Sequence, residues 1–114
     1  MVEEKTKITV KTATGIREYD VPFPNVGQYY SIECLKAKLS SGAYGQMLLS
    51  SSQAAVHALD MIDIEATLTV LCPQLIADLK VGINALSLED YADLRNAYSK
   101  SVVPFFKEIN KLLS

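Results

Sequence analysis

Cysteine and histidine are scarce in this 114-residue chain, and basic residues are missing from its middle. Cys34 and Cys72 form no CxxC pair, and the single histidine, His57, stands at ligand spacing from neither. Neither a zinc site nor a disulfide framework is indicated, and a reducing compartment fits two free thiols best. No Lys or Arg occurs between Lys38 and Lys80, where 23 of 41 residues are apolar and the acidic ones are Asp60, Asp63, Glu65 and Asp78. A surface that tracks phosphates needs clustered Lys and Arg, so nucleic-acid binding is not expected. The start, Met1 to Lys5, has no basic stretch followed by an apolar one, which argues against a secretory signal. The longest apolar region, Ala54 to Leu71, is interrupted by His57, Asp60, Asp63 and Glu65, so no membrane span is expected. Repeats and low-complexity linkers are lacking too. Together these absences point to a soluble, cytoplasmic protein.

What the chain does have is material for a core. Leu, Ile, Val and Phe make up 34 of the 114 residues against a net charge of only -2, the opposite of a disordered composition. A single domain over residues 1–114 is expected, and at this length folding buries roughly 65% of the unfolded surface without a metal or disulfide staple.

The first segment reads as a β-hairpin over about 7–21. Ile8 and Val10 alternate with polar residues, Thr12 to Gly15 supplies a turn with a glycine for positive φ, and Ile16 to Val21 returns. Pro22 and Pro24 cannot donate to a ladder and mark the exit from the sheet. Helical spacing takes over across 25–113, as a bundle of about four helices. Asn25 with Gln28 has the form of a capping box ahead of Ile32, Leu35 and Leu39. Ser40 to Gly42 breaks that helix, Tyr44 to Leu49 suits a short one, and Ser50 to Ser52 offers caps to the next.

From Gln53 to Leu71 the positions Gln53, His57, Asp60, Asp63 and Thr67 fall on one polar stripe of an otherwise apolar helix. A helix wetted along one stripe is central in its own bundle or part of a subunit interface. Pro73 ends or kinks it, and Leu75 to Val81 suits a further short helix. Ser87 and Asp90 cap a last helix whose apolar face is Leu88, Tyr91, Leu94, Tyr98, Val102, Phe105, Ile109 and Leu112, with a kink or break near Val103 caused by Pro104. The fold class is therefore α+β, mainly α.

No constellation for catalysis emerges, and the chain does not read as an enzyme. His57 one turn from Asp60 would need a nucleophile from elsewhere, and is more simply a surface pair. Ser50 to Ser52 lacks the GxSxG elbow, and Gly42 to Gly45 lacks the glycines and lysine of a phosphate cradle. Asp60, Asp63 and Glu65 lack the calcium-loop pattern, so no metal and no cofactor are expected. Phe105 and Phe106 stand out instead. Neighbours on a helix point about 100° apart, so either the bundle buries a wide aromatic face there or one ring faces the core and the other a partner or subunit surface.

The stretch Val21-Pro-Phe-Pro-Asn-Val-Gly-Gln28, continuing through Ile32 to Lys36 and Leu39 to Met47, resembles the small tail assembly chaperones of long-tailed bacteriophages, as does Leu71 to Leu75. The resemblance implies a cytoplasmic, largely helical, non-catalytic protein that coats the apolar tape measure protein, keeps it soluble and helps recruit the tail tube protein. The alternative is a structural head or tail subunit of a phage particle. Under the chaperone reading, Tyr98, Phe105, Phe106, Ile109, Leu112 and Leu113 at the end of the last helix are the partner-contact residues expected. A homo-oligomer is expected too, because the chain has few helices to cover the central one.

Overall fold

The computed structural model describes residues 5–113. Its elements are β1 (Lys5–Thr12), β2 (Gly15–Pro22), α1 (Val26–Leu39), α2 (Tyr44–Leu48), α3 (Gln53–Leu71), α4 (Pro73–Asp78), a 3-10 turn (Ile83–Ala85), α5 (Leu88–Ser101) and α6 (Val103–Leu113). The expected α+β order, hairpin then helices, is what the chain adopts. Among the described residues there are six helices where about four were expected, because the two short segments both close a turn and the last helix divides beside Pro104. The chain falls into two compact units, Met1–Phe23 with Cys72–Ser114, and Pro24–Leu71.

The first unit is built on the antiparallel hairpin, registered from Lys5↔Pro22 to Thr12↔Gly15. The register follows from the turn, where Gly15 takes φ 121° and the Thr12 hydroxyl donates to the Gly15 carbonyl at 2.7 Å. Alternation then sorts β1, burying Ile8, Val10 and Thr12 while Lys7, Thr9 and Lys11 face water. On the exposed face Lys5 meets Asp20 and Lys7 meets Glu18, both at 3.3 Å. Such exposed cross-strand pairs are screened by solvent and contribute little. α5 packs on β1 and on α6. Its cap is Ser87, whose hydroxyl accepts the Asp90 N–H at 3.1 Å, and Glu89 and Asp90 in the first turn suit the helix dipole.

The buried stripe Tyr91, Leu94, Tyr98, Val102, Phe105 and Ile109 runs through the division between α5 and α6 without losing helical spacing. Pro104 has no N–H to return to the preceding turn, so the chain leaves the helix at Val102 and re-enters at Val103. Two positions expected on that face are corrected. Leu88 is exposed because it opens α5 ahead of the region the core covers, and Leu112 is exposed because α6 runs past the last residue that packs. Phe23 meets Phe105 edge to face, ring centroids 5.0 Å apart, and the Tyr19 hydroxyl donates to Asp78 at 2.5 Å.

In the second unit, α1 and α2 pack on α3. The Asn25 box is closed in both directions: its side chain accepts the Gln28 N–H at 2.8 Å, and the Gln28 side chain accepts the Asn25 N–H at 3.0 Å. α1 ends with Ser41 at φ 54° and Gly42 at φ 81°, while the Gly42 N–H returns to the Ala37 carbonyl at 2.8 Å and the Ser41 N–H to Lys38. That is a left-handed C-terminal cap with serine where glycine is usual. The Ser52 hydroxyl starts α3 by accepting the Ala55 N–H at 3.2 Å.

The expected wet stripe of α3 needs correction at three positions, Asp60 being half-buried. Thr67 is buried, and Asp63 is half-buried, accepting the Tyr44 hydroxyl at 2.6 Å and pairing with Lys36 at 3.2 Å. The helix is divided by length more than by face. Ile64, Ala66, Thr67, Leu68 and Leu71 are buried, whereas Val56, His57 and Met61 near its start are exposed.

Candidate partner-binding surfaces

Of the six residues expected to hold a partner, three lie in the interior. Tyr98, Phe105 and Ile109 belong to the α5–α6 core stripe, Phe105 being only 7% exposed. Phe106, one residue on, is half-buried, and Leu112 and Leu113 are 61% and 69% exposed. The two phenylalanines do point different ways, and the accessible part of the proposed site shrinks to Phe106, Leu112 and Leu113. Lys107 and Lys111 stand between and beside them, Lys111 meeting Glu108 at 3.2 Å on the surface. The tip of α6 is thus both apolar and basic.

The second unit carries the larger group of exposed apolar side chains, which the sequence reading missed. Val26 and Leu49 are each 88% exposed, Tyr30 is 70% and Leu48 60%, and Val56 is also exposed. Helical spacing held the signal for α1. At about 100° per residue, Val26 and Tyr30 fall on roughly the opposite side from Ile32, Leu35 and Leu39, so both sets cannot face one core. For Leu48 and Leu49 no periodic signal existed, since α2 is five residues long and buries nothing.

A charged cluster joins the three helices of the unit. Lys36 pairs with Glu33 at 2.9 Å and with Asp63 at 3.2 Å, and its ammonium sits 5.5 Å from the centroid of the Tyr44 ring. Burial works against the lysine charge, but the hydrogen bond to Glu33 and the field of Asp63 outweigh it and raise the Lys36 pKa above the ordinary value. Burial, followed by the hydrogen bond to Asp63, raises Tyr44 as well. Each member has its partner inside the cluster, so this arrangement anchors α1 and α2 to α3 and offers no spare acid or base.

His57 is exposed on α3, Ser50 hydrogen-bonds Ser52, and the Cys72 thiol is buried, which pushes its pKa up and away from the reactive thiolate. Among the described residues no group of His, Cys, Asp and Glu is placed to hold a metal ion, and no single helix is long and apolar enough to cross a membrane. No protein family, curated protein or solved structure matches the chain.

Proposed function

We propose that the chain is a non-catalytic assembly chaperone that holds apolar segments of another protein, acting in the cytoplasm in the manner of the phage tail chaperones its sequence resembles. One observation carries this reading: Val26, Tyr30, Leu48, Leu49 and Val56 stay exposed on one three-helix unit although large apolar side chains gain about 25 cal/mol per Å² on leaving water. Under this reading the partner is the tape measure protein, the tail tube protein joins later, and the chaperone works as a homo-oligomer. Non-directional apolar contact also suits a holder that must accept varied segments of a long chain.

The test is co-expression with the tape measure protein encoded in the same genome, comparing the natural chain with a Leu48→Asp, Leu49→Asp variant. Neither side chain is buried, so the variant should keep its fold, which circular dichroism checks. The expected result is that the natural chain co-purifies with the tape measure and keeps it in solution while the variant does neither. A natural chain that does neither removes the chaperone reading, and a variant that does both moves the site elsewhere. A structural head or tail subunit is favoured by a different feature, the two outer edges of the two-stranded sheet, which carry no further strand among the described residues. Presence of the chain in finished particles would select that reading instead.

A further inference from the structure

A cavity of about 370 Å³ opens in the first unit between β1, the segment after α4, and the start of α5. Its floor is apolar and already buried, made of Val10, Leu79 and Leu94. Its rim is exposed and carries Val81, Asp90 and Asp93. Among the described residues that line the rim the one cation is Lys11, which meets Asp90 at 3.8 Å in a pair exposed on both sides, so the mouth is left with excess negative charge. An apolar floor under an acidic rim accepts an aliphatic side chain that stands next to a lysine or arginine, and it repels an acidic segment.

The chain itself carries such a segment. At the end of α6, Leu112 and Leu113 are exposed beside Lys107 and Lys111. The charges also match in spacing. Asp90 and Asp93 lie one turn apart on α5, and Lys107 and Lys111 one turn apart on α6, so two helices can oppose both pairs at once. The pairs now made, Lys11 with Asp90 and Lys111 with Glu108, are exposed and exchange partners at little cost.

The geometry points to the cavity as a socket for the Lys111-Leu112-Leu113 tip of a second copy of this chain. Leucine side chains enter over Val10, Leu79 and Leu94, and Lys107 and Lys111 close on Asp93 and Asp90. This names the contact through which the chain self-associates and rests on the self-association proposed above.

Sedimentation equilibrium of the full chain over the micromolar range tests it, with 12.5 kDa as the monomer mass. Four variants are compared: Leu112→Asp with Leu113→Asp, Asp90→Lys with Asp93→Lys, Lys107→Glu with Lys111→Glu, and the last two combined. The expected result is an associating natural chain, a loss of about tenfold or more in affinity for each of the first three, and recovery in the combined charge exchange. The leucine variant changes only exposed side chains, so it keeps the test valid if a reversal at the start of α5 harms folding. A natural chain that is monomeric throughout overturns both self-association and this contact. An associating chain whose leucine variant associates equally well overturns this contact alone. So does a folded charge exchange that fails to recover.

Discussion

Tyr19 and Asp78 form a single hydrogen bond that ties β2 to α4, and each changes the other's titration. Asp78 is held below its ordinary value of 3.8 first by the Tyr19 hydroxyl and then by the Gln74 amide. Its contribution is present above that value and is lost as pH falls through the lowered folded pKa. Tyr19 is pushed up to about 12 by burial and then by its bond to Asp78, from an ordinary value of 10. Its contribution is complete below pH 10 and is lost as pH rises through about 12. Denaturant midpoints measured across pH should therefore fall at both ends, and Asp78→Asn should flatten the acid limb while Tyr19→Phe flattens part of the alkaline one. Gly15 offers a second test at this scale. A Cβ there meets nothing within 4 Å, so only its φ of 121° penalises a side chain. Gly15→Ala should cost about 1 to 3 kcal/mol by urea unfolding.

Helix ends carry the next level. The α1 cap places Ser41, a residue with a Cβ, at φ 54°. Ser41→Gly should raise stability by up to about 1 kcal/mol, the relief of a left-handed side chain exceeding the freedom glycine adds to the unfolded chain, read as a higher denaturant midpoint at unchanged slope. The α6 helix gives a contrast of core and surface on one element. Phe105→Ala removes the ring packed on Phe23 and should cost about 3 to 5 kcal/mol, whereas Leu112→Ala, at an exposed position, should stay within about 0.5 kcal/mol. Burial also differs along α3. Amide exchange should be slow over Ile64 to Leu71 and fast over α2, which buries no residue.

At the scale of the whole molecule, the exposed apolar side chains Leu48 and Leu49 lie on one unit, and the charge-bearing α6 tip and acidic-rimmed cavity lie on the other. They should answer differently to ionic strength. Raising salt from low to about 1 M shortens the Debye length to roughly 3 Å, which weakens contacts between exposed charges and leaves apolar burial intact. Under the proposed function, holding of the tape measure protein should therefore survive high salt, while the proposed contact through Lys107 and Lys111 should loosen. Sedimentation and pull-down at two salt concentrations check both. Equal salt response in the two assays would remove the division of labour between the surfaces.

The sequence by itself determined the local elements, because the signals that make them act within a few residues. Thr12 to Gly15 set the turn, Asn25 with Gln28 and Ser87 with Asp90 set helix starts, Ser40 to Gly42 and Pro73 set stops, and Pro104 divided the last helix. Periodicity likewise marked Tyr91, Leu94 and Val102 as interior. Tertiary structure alone decided which apolar residues of similar spacing are covered. Ile109 and Leu112 lie one turn apart, yet the first is buried and the second open, because packing partners from elsewhere in the chain reach only one of them. It decided the fate of Asp63 as well, a residue with the spacing of a solvated carboxylate that is instead held by Lys36 and Tyr44, its neighbours only once α1, α2 and α3 have come together. A helix pattern records which side chains could share a face, and burial depends on what the rest of the chain brings against that face.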